Sequence, residues 1–191
     1  MQKIFSRELR FKDDEGRDYP EWEENKLDNI CNIKKGEQLN KDLFIPDGEY
    51  YVLNGGIEPS GYIDKYNTEA DTISISEGGN SCGYINYNFK RFWSGGHCYT
   101  LEDISNIINN KYLYQFLKYN QLKIMNLRVG SGLPNIQKKD LSIFKINIPC
   151  IDEQLKISEL LFNIDNKINK EQEKLNSLNE YKKGLLQQMF I

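Results

Sequence analysis

The sequence contains too little histidine, and no suitable cysteine spacing, for most familiar catalytic or metal sites. One histidine among 191 residues excludes a histidine-based triad and any site with several histidine ligands. The four cysteines include no C-x-x-C pair, which argues against a zinc ribbon and a disulfide framework. We therefore predict that the cysteines are reduced core residues, and that His97 is a packed or hydrogen-bonded core residue rather than a catalyst.

Other signatures of membrane proteins and enzymes are also missing. No run approaches the roughly 18 apolar residues that span a bilayer, and Met1–Phe11 lacks the apolar core of a secretory signal. No P-loop, dinucleotide-binding glycine motif or Asn/Asp-Pro-Pro-aromatic tetrad of adenine methyltransferases occurs. Gly130-Ser131-Gly132 is not a nucleophile elbow, because Arg128 stands where that motif needs glycine. We expect a cytoplasmic, non-membrane protein that has no catalytic activity by itself.

The net charge of −3 argues superficially against a nucleic-acid partner, but the charge is unevenly distributed. Between residues 111 and 145, Asp140 is the only acidic residue among seven basic ones. The phosphates of a DNA backbone would interact with this local positive charge rather than with the average charge of the chain. Charge alone does not distinguish a phosphate-binding surface from a solvated helix face and loop. The basic residues are Lys111, Lys118, Lys123, Arg128, Lys138, Lys139 and Lys145.

Short strand patterns and turn glycines fill the first three quarters of the chain. Tyr50–Leu53 and Thr72–Ser76 have strand character, and each is followed by glycines. Further strands are predicted at 84–89 and 142–148, and a helical spacing of apolar residues occupies 105–125. The fold class is therefore α+β, a globular domain of short twisted strands and helices followed by one long C-terminal coiled-coil helix.

The long helix is predicted to begin after Pro149, with Asp152 as its N-cap, and to reach Phe190. Its length of about 58 Å exceeds what its own domain can cover. An amphipathic helix folded back on the domain is one interpretation, but a narrow heptad seam favours a coiled coil. Glu171 and Lys182 interrupt this seam and would set register in an antiparallel pair. The apolar seam residues are Ile157, Leu161, Ile164, Ile168, Leu175, Leu178, Leu185 and Met189.

These patterns divide the chain into three parts. Residues 1–19 are interpreted as an N-terminal linker segment, residues 20–150 as a globular domain, and residues 151–191 as one long helix.

Several short motifs, in this order, resemble the specificity subunits of type I restriction-modification enzymes. The resemblance covers nearly the full chain. In addition, Gln2-Lys3-Ile4-Phe5 echoes Gln187-Gln188-Met189-Phe190, as if the chain began where a preceding helix of the same kind had ended. The motifs are Glu8-Leu9-Arg10-Phe11, the segment from Tyr19 to Leu27, Gly130-Ser131-Gly132-Leu133-Pro134-Asn135-Ile136, Ile148-Pro149 with Glu153-Gln154, and the tail from Lys182 to Phe190.

The resemblance implies that residues 20–150 are a DNA target-recognition domain and that residues 151–191 are a spacer and dimerisation helix. In that family two such domains alternate with two antiparallel helices, so one domain and one helix make either a natural half-subunit or a fragment. The implied partners are double-stranded DNA, a modification subunit that uses S-adenosylmethionine and a restriction subunit that uses ATP and Mg²⁺. No cofactor is expected in this chain. A homodimer through antiparallel C-terminal helices would imitate a full-length subunit.

The candidate DNA-contacting residues lie in glycine-flanked loops and in the basic stretch. Amide, hydroxyl and guanidinium groups suit base edges and phosphates, although glycine turns also serve simply to connect strands. Two other classes stay open: an enzyme such as a methyltransferase fragment, and a structural coiled-coil protein whose globular head binds another protein. The candidates are Asn54, Gly55, Gly56, Tyr62, Gly79, Asn80, Ser81, Arg91, Arg128, Ser131, Lys138 and Lys139.

Overall fold

A computed structural model describes residues 1–130 and 132–189, apart from the side chain of Met189. Within these residues, three sheets have the strand orders β2-β8-β5-β6, β4-β3-β7 and β1-β9. The strands are β1 (Glu23–Lys26), β2 (Asn32–Lys35), β3 (Tyr50–Leu53), β4 (Gly61–Ile63), β5 (Thr72–Ser76), β6 (Ile85–Asn88), β7 (Trp93–Ser94), β8 (Cys98–Glu102) and β9 (Lys145–Ile148). The helices are α1 (Gln2–Phe5), α2 (Asn110–Tyr119), α3 (Gln121–Met125), α4 (Lys138–Ser142) and α5 (Ile151–Met189).

Strand β5 lies inside the four-stranded sheet and is buried on both faces. Ile73 and Ile75 point into the main hydrophobic core, where each is fully buried. The opposite face carries small hydroxyl side chains that find partners inside the protein, because a buried polar group without one is costly. Asn88 Nδ2, for example, donates to Ser74 Oγ at 2.9 Å. The alternation of this strand therefore separates an apolar face from a hydrogen-bonded one.

The α+β class is confirmed, and strands β3 and β5 have the predicted bounds. The helical pattern at 105–125 is divided into α2 and α3 at Asn120, whose buried side-chain amide donates to the carbonyl of Phe116 at 2.9 Å. Helix α5 begins at Ile151, so Asp152 lies in its first turn and is not the N-cap. Asp152 still favours helix formation there, because an acidic side chain complements the positive end of the helix dipole. The end predicted at Phe190 lies outside the described residues.

The N-terminal segment, interpreted from sequence as a linker, instead packs into the main core. Ile4 and Phe5 of α1 are buried there. The ring of Phe5 lies 5.5 Å from that of Phe116 and 5.0 Å from that of Tyr119, measured between centroids. The apolar side chains of this segment explain the difference, because burying them stabilises the domain more than leaving them in water.

The four cysteines are free thiols, and Cys31, Cys82 and Cys98 are buried as predicted, whereas Cys150 is partly exposed and is not the core residue that was expected. Burial raises the pKa of the Cys31 thiol to about 12, which keeps it protonated and unreactive. Among the described residues, no helix combines the length and apolar content needed to cross a membrane.

The first four turns of α5, up to Asp165, pack against the domain, and the rest of the helix projects from it. Ile157 and Leu161 lie in the main core. They are therefore not available to a partner helix, although the predicted heptad seam includes both of them. Both side chains point toward the globular domain, which we call the head, because residues three to four positions apart lie on the same face of a helix. Beyond them, Gln115 Nε2 donates to Asp165 Oδ2 at 2.7 Å. Among the described side chains, the exposed part of the seam consists of Ile164, Ile168, Leu175, Leu178 and Leu185, and the side chain of the predicted seam residue Met189 lies outside the described part of the structure.

A buried ion pair fixes α5 to the N-terminal segment. Glu153 is fully buried and accepts hydrogen bonds from Arg10 Nε at 3.2 Å, Arg10 Nη2 at 2.9 Å and Trp22 Nε1 at 3.0 Å. Arg10 also donates to the carbonyl oxygens of Tyr19 and Pro20. The hydrogen bond to Glu153 raises the pKa of Arg10 above its usual value. Three separate segments therefore meet at one carboxylate.

We predict that Arg10→Met lowers the free energy of unfolding by about 3 kcal/mol, because the Glu153 carboxylate would stay buried without its cation. Urea denaturation monitored by tryptophan fluorescence measures this loss. Arg17→Met is the matched control, since Arg17 pairs with Asp13 at the surface and its side chain is 68% exposed. The control should cost less than about 1 kcal/mol. Equal losses in the two variants would show that the buried pair has no special role.

Candidate nucleic-acid interface

The parallel pairing of β3 and β7 brings two loops to the same end of the smaller sheet. Val52 pairs with Trp93 and Leu53 with Ser94, so the chain leaves both strands side by side. The side-chain oxygen of Asn54 accepts the backbone N–H of His97 at 3.2 Å. The loop at 54–56 and the loop at 95–97 are therefore joined directly.

Two further loops meet beyond the end of β5. The backbone N–H of Gly79 donates to the carbonyl oxygen of Pro134 at 3.1 Å. Asn135 forms isolated bridges with both Gly78 and Val129. The 78–81 turn is thus held against the 129–135 loop, within which Ser131 lies outside the described residues.

Gly55 links these two pairs of loops, and its backbone conformation suits glycine alone. Its φ of +81° is in the left-handed region, and a Cβ there would lie 2.8 Å from the carbonyl oxygen of His97. The carbonyl oxygen of Gly55 accepts a hydrogen bond from Ser76 Oγ at 2.5 Å. The close approach of Gly55 thus ties the 54–56 loop to the end of β5.

The carboxylate of Glu77 lies beneath this junction and is almost fully buried. Its Oε1 accepts from Lys35 Nζ at 2.7 Å and from the Tyr99 hydroxyl at 3.1 Å, while its Oε2 lies 3.7 Å from Nδ1 of His97. Burial and the Glu77 charge raise the pKa of Tyr99 to about 12, so this hydroxyl stays a donor. The backbone of Glu77 also bonds His97 and Ile136. One residue therefore connects two strands and two loops.

The solvent side of this junction is a surface of amides and cations, which we call the loop face. His97 belongs to it, with 63% of its side chain exposed, so the prediction of a core histidine is wrong. Its ring is exposed because the backbone, rather than the imidazole, makes the internal hydrogen bonds. The loop face comprises Lys35, Asn54, Gly56, Gly79, Asn80, Ser81, His97, Arg128 and Asn135, all exposed or half-buried.

Two candidate residues lie elsewhere. Arg91 precedes β7 and therefore lies at the opposite end of the parallel pair from Asn54. Its Nε donates to Glu69 Oε2 at 2.8 Å, and its guanidinium stacks 4.7 Å from the centre of the Tyr66 ring. Tyr62 lies on β4, an edge strand that pairs with β3. Neither side chain is brought to the loop face.

The two candidate lysines at 138 and 139 begin helix α4, and both are exposed. The backbone of Lys138 also makes a hydrogen bond that lowers the pKa of Tyr99, against the larger effects that raise it. This contact places the start of α4 beside the Glu77 cluster. The lysines therefore border the loop face rather than lying within it.

Sequence reasoning missed Lys35, Glu77 and Asn135 as members of this site. Lys35 is one of two successive lysines at the end of a short strand, and only the pairing of Lys35 with Tyr99 indicates which one faces the loops. Glu77 follows β5 directly and precedes Gly78-Gly79. An acidic residue between a predicted strand and two glycines is the local feature of the sequence that points to Glu77.

The chain thus combines an α+β domain that bears a polar loop face with one long C-terminal helix that carries an exposed apolar stripe. The model of the type I restriction modification DNA specificity domain matches residues 19–180, so the chain belongs to that family.

Relatives of known name support this assignment. The chain is 34% identical over 175 residues to a protein of Mycoplasma genitalium, and 37% identical over 166 residues to one of Mycoplasma pneumoniae, both named type I specificity subunits. These alignments cover 83% and 86% of this chain, but 45% and 43% of the relatives. The chain thus spans less than half the length of these two relatives.

Solved structures agree with the fold. The crystal structure of the type I restriction-modification S subunit from M. genitalium superposes with a TM-score of 0.76 at 33% identity, over 85% of this chain and 42% of that one. The HsdS subunit from Thermoanaerobacter tengcongensis gives a TM-score of 0.60 at 19% identity, covering 79% and 39%, which supports the fold alone.

We predict that Gly55→Ala lowers the free energy of unfolding by about 2 to 3 kcal/mol, because the strained φ and the contact with His97 O act together. Gly79→Ala is the control: its φ is +76°, but a Cβ there meets nothing within 4 Å. Backbone strain alone should cost about 1 kcal/mol in that variant. Urea denaturation compares the two. A loss in Gly55→Ala no larger than in the control would mean that the two loops are not tightly joined.

Proposed function

We propose that this chain is the DNA-reading half of a type I specificity subunit and directs methyltransferase and endonuclease subunits to a bipartite site. The observation that carries the proposal is the convergence of four loops on one surface of amides and cations, in a chain that belongs to the specificity family. Such groups match base edges and phosphates. In this proposal the chain is non-catalytic, and S-adenosylmethionine, ATP and Mg²⁺ belong to the partner subunits.

The cationic side chains around the loop face favour DNA, rather than another protein, as the ligand of this face. Lys35, Arg128, Lys138 and Lys139 are exposed on or beside it, and the nearby Glu77 is buried and already paired. Cations of this kind release counterions when they contact phosphates, so DNA binding should weaken steeply with salt. A head that binds another protein would lack this dependence, which separates the two functions.

We predict that the chain binds duplex DNA, and that Lys138→Ala or Lys139→Ala lowers the dependence of log K on log salt by about one unit. The loss of affinity should be similar for all sequences, because phosphate contacts carry no base information. Fluorescence anisotropy with labelled duplexes at several salt concentrations measures both effects. Lys170→Ala, on the projecting part of α5, is the control and should leave the slope unchanged. Absence of any salt-dependent duplex binding by the wild-type chain would overturn the proposed function.

We also propose that two copies pair through antiparallel α5 helices, each covering the other's exposed seam. A stripe of apolar residues from Ile164 to Leu185 is about 32 Å long and unsuited to water. A twofold axis between Asn176 and Ser177 would place Leu175 opposite Leu178 of the partner helix. The same axis places Ile168 opposite Leu185, and Glu171 opposite Lys182. Each polar interruption of the seam thereby meets its opposite charge.

We predict that Glu171→Lys and Lys182→Glu each weaken the dimer, because each variant places two like charges opposite one another in the seam. The double variant should restore the dimer, and a mixture of the two single variants should form heterodimers. Analytical ultracentrifugation at tens of micromolar measures the association. Replacing Ile164 and Ile168 together with Asp should give monomers in any register. A wild-type monomer would contradict the pairing, and failure of the double variant would contradict the register.

A further inference from the structure

Two exposed basic side chains, those of Lys35 and His97, lie over one buried carboxylate at the centre of the loop face. Lys35 Nζ lies 2.7 Å from Glu77 Oε1, and Nδ1 of His97 lies 3.7 Å from Glu77 Oε2. The side chains of Lys35 and His97 are 53% and 63% exposed, whereas that of Glu77 is 9% exposed. Tyr99 donates to the same carboxylate from below. Both basic side chains are therefore exposed at the surface and lie close to one buried carboxylate.

We propose that Lys35 and His97 bind a phosphate of the DNA backbone, and that Glu77 is a positioning residue that holds them in place. The inference rests on the proposed DNA-reading function and goes beyond it by naming the phosphate contact. Lys35 uses one of its three N–H donors on Glu77, which leaves the others for a ligand. A protonated His97 offers two donors. With both cations charged, the cluster carries a net charge of +1 in spite of the carboxylate.

The placement of His97 is fixed by its backbone rather than by its ring. Its N–H donates to Asn54 Oδ1 at 3.2 Å, and its carbonyl oxygen accepts from the N–H of Glu77 at 2.9 Å. Lys35 is held by the register of β2 against β8, which places it opposite Tyr99. Both cations are therefore arranged before DNA arrives, which reduces the entropy lost on binding.

Strand β2 supplies a matched control. Successive side chains of a strand point to opposite faces, so Lys34 faces away from the loop face. There its Nζ lies 3.3 Å from Glu102 Oε2, and its side chain is 48% exposed. Lys34 and Lys35 are thus neighbours of similar exposure, each paired with one glutamate. Removing either one changes the net charge of the chain equally.

The first test compares Lys35→Gln with Lys34→Gln, since glutamine keeps a hydrogen-bond donor for the glutamate and removes only the charge. The probe is a fluorescein-labelled duplex of mixed sequence, about 30 base pairs long, titrated with the full chain at several salt concentrations. Lys35→Gln should reduce the slope of log K against log salt by about 0.9 and weaken binding about eightfold at 0.1 M salt. Lys34→Gln should match the wild type. Thermal unfolding of both variants identifies any effect of lost stability.

The second test concerns His97, because histidine is the side chain whose charge ordinarily changes between about pH 5 and 8. A phosphate favours the protonated ring, so DNA binding should take up a proton. Glu77 faces the ring directly, and Lys35 and Tyr99 face it through Glu77. Affinity should therefore fall as pH rises from about 6 to 8, and His97→Gln should flatten this dependence.

Glu77→Gln tests the positioning role. The amide keeps the shape of the side chain but loses the charge that attracts both cations, so the pH dependence and the salt slope should both decrease while Tyr99 keeps an acceptor. If the wild type binds the duplex but Lys35→Gln behaves like Lys34→Gln, or His97→Gln keeps the wild-type pH dependence, the phosphate site is wrong and the DNA-reading function stands. If the wild type shows no salt-dependent binding, both are wrong.

Discussion

The buried contact of Glu153 with Arg10 and Trp22 is the interaction on which the geometry of the molecule depends. It joins the N-terminal segment, the approach to β1 and the first turn of α5 at one carboxylate. Helix α5 has 39 residues and a length of about 58 Å, so a change of about 10° at its base would displace its far end by roughly 10 Å. A charged pair suits this role because its hydrogen bonds are directional, whereas apolar packing alone tolerates small rotations.

The burial and pairing of carboxylates explain how a chain of net negative charge can present a cationic surface. Glu77 and Glu153 are buried and paired, so they contribute to the net charge of −3 but scarcely to the loop face. Asp13 is likewise engaged by Arg17, whose hydrogen bonds lower the pKa of that carboxyl. Net charge therefore describes the chain as a whole, while a ligand responds to the charges that remain exposed and unpaired.

The sequence predicted elements well where local pattern decides them, and the site less well where tertiary pairing decides it. Runs of strand-forming residues followed by glycines located β3 and β5, and heptad spacing located α5. No local pattern shows that β3 and β7 run parallel, yet that pairing brings Asn54 to His97 and leaves Arg91 at the far end. Periodicity likewise places Ile157 and Ile168 in one stripe, although Ile157 is covered by the head and Ile168 is exposed. The spacing of apolar residues shows which face of a helix is apolar, but it does not show which part of the protein covers that face.

If two heads are joined by antiparallel helices, the polar residues of the seam decide the separation between them. Slipping the helices by one heptad would move the heads by about 10 Å. One direction of slip would place Glu171 opposite Leu175 of the partner helix, and the other would place Lys182 opposite Leu178. Each slip would bury a charge against an apolar side chain, which is strongly unfavourable. An entirely apolar seam would tolerate several registers. Glu171 and Lys182 lower the stability of the pair but restrict it to one register, and hence to one spacing between the two loop faces.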